Sequence, residues 1–163
     1  SYGINVFYID GKNLIVAVPR AGATPLNMNT GKIDNTGVEA EAAYRIHPHW
    51  SVETNYSYLH MEHPVLAAPE HKLHAGASFT HGRWSASTGV QCVAGLYTSV
   101  AVGGAGSYAQ ENFILWNLRG GFRISRNLRI FVSGENLLAQ RYEINAGFPM
   151  PRATVLSGLN MHF

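Results

Sequence analysis

Charge is scarce in this sequence: Asp, Glu, Lys and Arg make up 13% of its 163 residues, about half the roughly 25% of an ordinary soluble domain. The twelve bases and ten acids leave a net charge of +2. That is too slight, and Lys and Arg are too scattered, to argue a nucleic-acid surface. There is one cysteine, Cys92, so no internal disulfide and no CxxC metal or redox motif can form. Cys92 sits on an apolar face and reads as a packing thiol. Long apolar runs are missing too. The longest aliphatic run is LIVAV, residues 14–18, far short of the ~20 residues a membrane helix needs. The opening SYGINVFYID lacks the basic start, apolar core and cleavage site of a secretory leader. Helical periodicity is absent throughout. If this chain meets a membrane, it crosses with strands.

What is present is aromatic and small. Aromatics reach 11%, with eight Tyr, alongside 17 Gly, and the apolar residues are diluted by Gly, Ser, Thr and Asn rather than by charge. They alternate with period two. Val38, Ala40, Ala42, Tyr44 and Ile46 face one way, with Glu39, Glu41 and Arg45 facing the other. The same alternation sets Trp50, Val52, Tyr56 and Tyr58 against Ser51, Glu53, Asn55 and Ser57. Leu73, Ala75, Ala77 and Phe79 oppose Lys72, His74, Gly76 and Ser78. Trp84, Ala86, Val90 and Cys92 oppose Ser85, Ser87, Gly89 and Gln91. Ile114, Trp116, Leu118 and Phe122 oppose Asn117, Arg119, Gly121 and Arg123. Leu128, Ile130 and Val132 oppose Arg129 and Ser133, with Phe131 intruding on the polar side. With YGINVFYI at the start and VLSGLNMHF at the end, eight strands are expected.

The connections alternate strictly. HPH, HG and SRN make tight turns near 47–49, 81–82 and 125–127, while the links at about 19–35, 61–70, 97–111 and 137–152 are long. Successive strands therefore run up and down, with all tight turns at one end. Strands of this length, short turns on one side and long loops on the other are the pattern of an outer-membrane barrel. Closure follows because an open edge in lipid leaves backbone groups unpaired. Tyr2, Trp50, Tyr56, Tyr58, Trp84, Trp116 and Phe163 fit an interfacial aromatic girdle. A soluble sandwich or lipocalin-like barrel would also alternate, but its outer face would carry many charges. Here the polar faces hold Gly, Ser, Asn and isolated ionic groups, which suit a lumen. The expected fold is an all-β, antiparallel, up-and-down transmembrane barrel.

NTGVEAEAAYRI followed by Trp50, APEHKL at 68–73, SGENLLAQRYEINAGFPMPRAT at 133–154 and the terminal Phe163 together resemble the C-terminal part of a TonB-dependent outer-membrane receptor. The resemblance implies that residues 1–163 are the last eight strands of a barrel of about twenty-two strands with a plug inside. It further implies active import across the bacterial outer membrane of a scarce solute such as an iron-siderophore, haem or cobalamin. The implied partners are outer-membrane lipid, the TonB complex acting through the missing N-terminal plug, the barrel-assembly machinery reading Phe163, and a small-molecule or metal-chelate substrate. Residues matching the plug or TonB box are absent from the sequence. The rival is a self-contained eight-stranded barrel with a structural or adhesion role.

For binding, the residues to watch lie at the loop ends. Tyr97, Tyr108, Arg141 and Tyr142 supply aromatic faces and a cation for an anionic, conjugated or chelate ligand. Arg141 and Tyr142 fall within NLLAQRYE, where a role in the fold is equally expected. Glu39, Glu41, Glu53, Arg119, Arg123, Arg129 and Glu135 project inward, able to pair with each other or with a plug. His60, His63, His71 and His74 flank one long loop, and His47, His49 and His81 sit in tight turns. They read as surface or lumen polar groups, so no metal ligand and no cofactor is assigned. Carboxylate or Ser/His pairs at catalytic spacing are not evident, and no enzyme is expected.

Overall fold

The computed structural model describes residues 1–20, 23–100 and 108–161. Eight strands form one sheet in sequence order: β1 (Tyr2–Arg20), β2 (Ala23–His47), β3 (Trp50–Met61), β4 (His71–His81), β5 (Trp84–Ser99), β6 (Ala109–Arg123), β7 (Leu128–Glu135) and β8 (Thr154–Met161). Each pairs antiparallel with the next, and β1 and β8 are the two edges. The sheet is part of a barrel wall, not a closed barrel. Phe163 lies outside the described residues.

The tight turns fall where the sequence places them. In the β2–β3 turn, Pro48 takes the first central position between the paired His47 and Trp50, where its fixed φ suits the bend. In the β4–β5 turn, Gly82 has φ +59 between the paired His81 and Trp84, a positive φ at the first central position that glycine adopts without strain. The outer end differs from expectation in two places. Residues 19–35 are not a long link: β1 and β2 stay paired from Tyr2↔Ala42 up to Arg20↔Ala23, with irregularities at Lys12/Leu14, Leu14/Ile15 and Val18/Arg20. Asn13, at φ 60, occupies one of them. Strand also extends into the expected 97–111 link, through Tyr97↔Gln110 and Ser99↔Ala109. Residues 62–70 and 136–153 remain irregular, with a single bridge, Glu143↔Pro149.

Register joins the apolar positions into one continuous face. Directly opposed residues share a side of the sheet. Ile4↔Ala40↔Tyr56↔Leu73↔Cys92↔Ile114 is one rung, and Trp84↔Phe122↔Ile130↔Leu159 is another. Many of these side chains are bare: Ile4 is 76% exposed, Trp84 62% and Leu159 67%. Such a belt is stable only against hydrocarbon, and so it is the lipid face. On the other face, Phe7 lies over Gly37 and Phe131 over Gly158, each directly opposite its glycine. A Cβ at Gly158 would come within 2.7 Å of Phe131. The Arg119 guanidinium sits 4.2 Å from the centre of the Phe131 ring. Phe131, the intruder in the alternation, thus covers a glycine gap in the lumen wall and carries a cation on its face. Other inward charges find local partners: Asn5 donates to Glu39 at 3.3 Å, and His74 stands 3.8 Å from Glu53.

Candidate substrate cleft at the outer rim

Above the membrane band the sheet acquires its small core. Val93, Leu96 and Phe113 are buried, with Leu115, Tyr142 and Ile144 packed against them. The cover is the 136–153 loop, folded onto the inner face of β5 and β6. Asn136 holds it there. This residue is buried, with φ 48, in the left-handed region that Asn tolerates. Its N–H donates to Asn117 Oδ1 at 2.9 Å, and its amide donates to the carbonyls of Gln140 (2.9 Å) and Pro151 (3.1 Å). Its Oδ1 accepts from the Gln140 N–H at 3.0 Å. One side chain closes both ends of the loop.

The loop then reaches across the strands. Tyr142 packs on Phe113 with ring centres 4.2 Å apart. Glu111 accepts from the Glu143 N–H at 2.8 Å, Glu143 accepts from the Gly147 N–H at 2.6 Å, and the Ala146 N–H donates to the Thr98 carbonyl at 2.9 Å. A cleft of ≈ 360 Å³ remains between loop and strand, lined by Glu111, Arg141, Tyr142, Glu143, Pro149, Met150 and Arg152. Both carboxylates in it are engaged by backbone N–H groups. Arg152 Nε donates to the Ala139 carbonyl at 3.3 Å, while Arg141 is exposed and forms no ion pair among the described residues. The cleft thus presents a cation and an aromatic edge to the space above the lumen. Burial, and next the charge of Glu135, push the Tyr142 phenol above its usual pKa.

Tyr97 and Tyr108 form a second cluster. Their ring centres are 6.3 Å apart in an edge-on contact. Tyr97 donates its hydroxyl to Glu70 at 3.2 Å, and Gln110 donates to the same oxygen at 3.3 Å. Burial and then Glu70 raise the Tyr97 pKa. Tyr97 opposes Gln110 and Leu96 opposes Glu111. Since neighbours along a strand point to opposite faces, the Tyr97 and Tyr142 clusters sit on opposite sides of the β5–β6 pair. The cause is a bulge: Gly95, at φ +66, lets its N–H donate to Asn112 Oδ1 at 2.7 Å and shifts the phase of β5 by one residue. The four residues singled out in the sequence therefore divide two and two. Glu70, Glu111, Asn136, Glu143 and Arg152 were not singled out. Of these, only Asn136 carries a sequence signal, an Asn four residues before Gln140 in a segment without strand alternation.

The histidines that flank the 62–70 loop do not converge. His71 is bonded to the Tyr56 hydroxyl at 2.8 Å on the lipid side, while His74 lies by Glu53 on the lumen side.

A family model described as TonB dependent receptor-like, beta-barrel, matches residues 1–137. Among curated protein sequences, none matches the chain. Solved structures do. The copper transporter OprC is similar over 99% of this chain and 28% of its own, at 20% identity and TM-score 0.80. The ferric-catecholate import receptor Fiu from E. coli K12 is similar over 99% and 25%, at 22% identity and TM-score 0.69. The ferripyoverdine receptor of the Pseudomonas aeruginosa outer membrane is similar over 98% and 24%, at 16% identity and TM-score 0.71. The chain spans about a quarter of the length of these proteins. A greasy outer belt, an eight-stranded open wall and a family match over most of the chain lead to one conclusion: it belongs to the TonB-dependent receptor β-barrel family of the bacterial outer membrane.

Proposed function

We propose that this chain is the C-terminal wall of a receptor that actively imports a scarce solute, an anionic metal chelate before others, and that it transports rather than catalyses. The observation that carries this reading is the cleft under the 136–153 loop, where the uncommitted Arg141 guanidinium stands beside Tyr142 at the outer mouth. A cation next to aromatic surface suits a negatively charged, conjugated ligand. The iron-chelate names of two of the similar structures agree with that class, while the third is named for copper. Energy would arrive from the TonB complex through a plug that these residues do not include, and Phe163 would serve the barrel-assembly machinery.

The test is uptake by cells whose only route for the solute is the complete receptor. Ferric catecholate, ferric hydroxamate, haem, cobalamin and a cupric salt are supplied in turn, with and without a functional TonB. Import of one of them that stops when TonB is deleted is the expected result. Import that continues unchanged without TonB, or binding of none of the five, would overturn the proposal. Arg141→Ala should weaken binding of the imported chelate by about 5- to 50-fold, the loss of one charge-assisted contact.

A further inference from the structure

We propose that the lumen side of the β6–β8 turn end is an oxyanion site, in which Arg123, Arg126 and Arg129 take a phosphate or carboxylate group at the periplasmic mouth of the barrel. The three arginines line one hollow of ≈ 250 Å³ together with Ser125, Asn127 and Asn160. Strand register puts them there. Arg123↔Arg129↔Asn160 is the last lumen rung before the β6–β7 turn, and Arg126 lies in that turn, three residues from each of the other arginines. Like charges directly opposite each other destabilise a sheet. An anion held between the two guanidinium groups offsets that cost.

No side-chain carboxylate of this part of the wall does so. From His71 onward the acidic residues are Glu111, Glu135 and Glu143, and all three belong to the outer end: Glu135 closes β7 at its far end, and the other two line the cleft under the 136–153 loop. Among the described residues none of the three arginines is in an ion pair. The hollow is rich in donors instead. A guanidinium carries five N–H groups and no acceptor, and Ser125 Oγ, which accepts from the Asn127 N–H at 3.2 Å, has its own O–H to give. Arg123 is also fixed in place, because its guanidinium donates to the Gly82 carbonyl at 2.7 Å and its N–H to the Arg83 carbonyl at 2.9 Å. Forked donors, one of them anchored, with no acid among them match the oxygens of a phosphate or carboxylate. That anion has two sources: free phosphate of the periplasm, or the imported solute as it leaves the barrel. Only the second rests on the import reading.

The experiment uses the complete receptor in bilayers, with Cys92→Ala and with Asn160→Cys as its one reactive thiol, or Ser125→Cys if that variant does not assemble. Reaction rates are compared for a sulfonate-bearing and an ammonium-bearing methanethiosulfonate. At low salt the sulfonate should react faster by about tenfold or more, the effect of three cations within several ångströms in water. Arg123→Gln with Arg129→Gln should close the gap, and Arg126→Gln, which touches no strand pairing, should narrow it alone. Inorganic phosphate should slow both reagents in a saturable way, whether or not any chelate is imported, and the double variant should lose that protection. Ferric catecholate added in the same assay separates the sources: protection by it as well places the imported anion on the site, and protection by phosphate alone assigns the site to a free anion. Equal rates with the two reagents, a preference that survives loss of both arginines, or no protection by phosphate would each overturn the proposal. So would a thiol that neither reagent reaches, since a segment of the receptor itself would then fill the hollow.

Discussion

A single amide governs the outer loop. Asn136 makes four hydrogen bonds with Asn117, Gln140 and Pro151, and its carbonyl accepts a fifth from the Ala139 N–H. Replacing it with alanine leaves the Pro151 carbonyl and both backbone groups of Gln140 without that partner. The expected cost is roughly 1–3 kcal/mol, read from a folding titration into bilayers, with faster proteolysis between 137 and 152. Intact resistance to protease would show that the loop is held some other way. Tyr142 gives a second, pH-based test. Because burial raises its folded pKa above the unfolded value near 10, its contribution to loop docking is present below about pH 10. That contribution fades as pH rises through the folded value. Tyr142→Phe should keep the loop docked in alkali where the wild type begins to release it, as followed by protease protection. Strand period did not reveal the role of Asn136. Alternation shows which way a strand residue points, but Asn136 acts from a left-handed backbone position that no period describes.

At the level of strands, the two faces make opposite demands. Val90 lies on the lipid rung between Ala75 and Trp116, and Asn55 on the lumen rung between Glu41 and His74. Val90→Arg should cost roughly 2–4 kcal/mol near the middle of the membrane. Asn55→Arg, beside Glu41, should cost far less. Equal losses in the same titration would mean the faces are reversed. The faces were legible in the sequence because lipid on one side and a wide lumen on the other leave period two undisturbed through the membrane band of β2 to β8. The β1–β2 ribbon was not. Pro19, Pro25 and Gly31 punctuate that segment as they would a loop, and its strand character comes from each arm pairing with the other. The division of Tyr97 from Tyr142 was hidden for a different reason: the bulge at Gly95 changes the phase, and a reader counting by twos carries the wrong face past it.

As a whole molecule, the chain is a wall with two unpaired edges. Each edge places backbone donors and acceptors where lipid offers them nothing, and β1 and β8 are not neighbours. Residues 1–163 expressed alone should therefore fail to give a compact, heat-resistant monomer in detergent, and should need the rest of the receptor to close. A protease-resistant monomer with dispersed NMR signals would favour the self-contained barrel. Deleting Phe163 should lower the amount of complete receptor assembled in cells more than its stability once assembled, since one side chain at an edge contributes at most about 3 kcal/mol.

The paired reach of β1 and β2 has one more consequence. β2 alone runs 25 residues, roughly 80 Å of chain at strand rise, of which a tilted crossing of the apolar band uses less than half. The remainder continues past that band as a two-stranded ribbon, β1 paired with β2. With the long connections facing outward, this ribbon should be within reach of bulky labels on living cells. Asn27, exposed on it, converted to cysteine should react with a membrane-impermeant maleimide on intact bacteria, while Cys92, set among Leu73 and Ile114 on the lipid rung, should stay unlabelled.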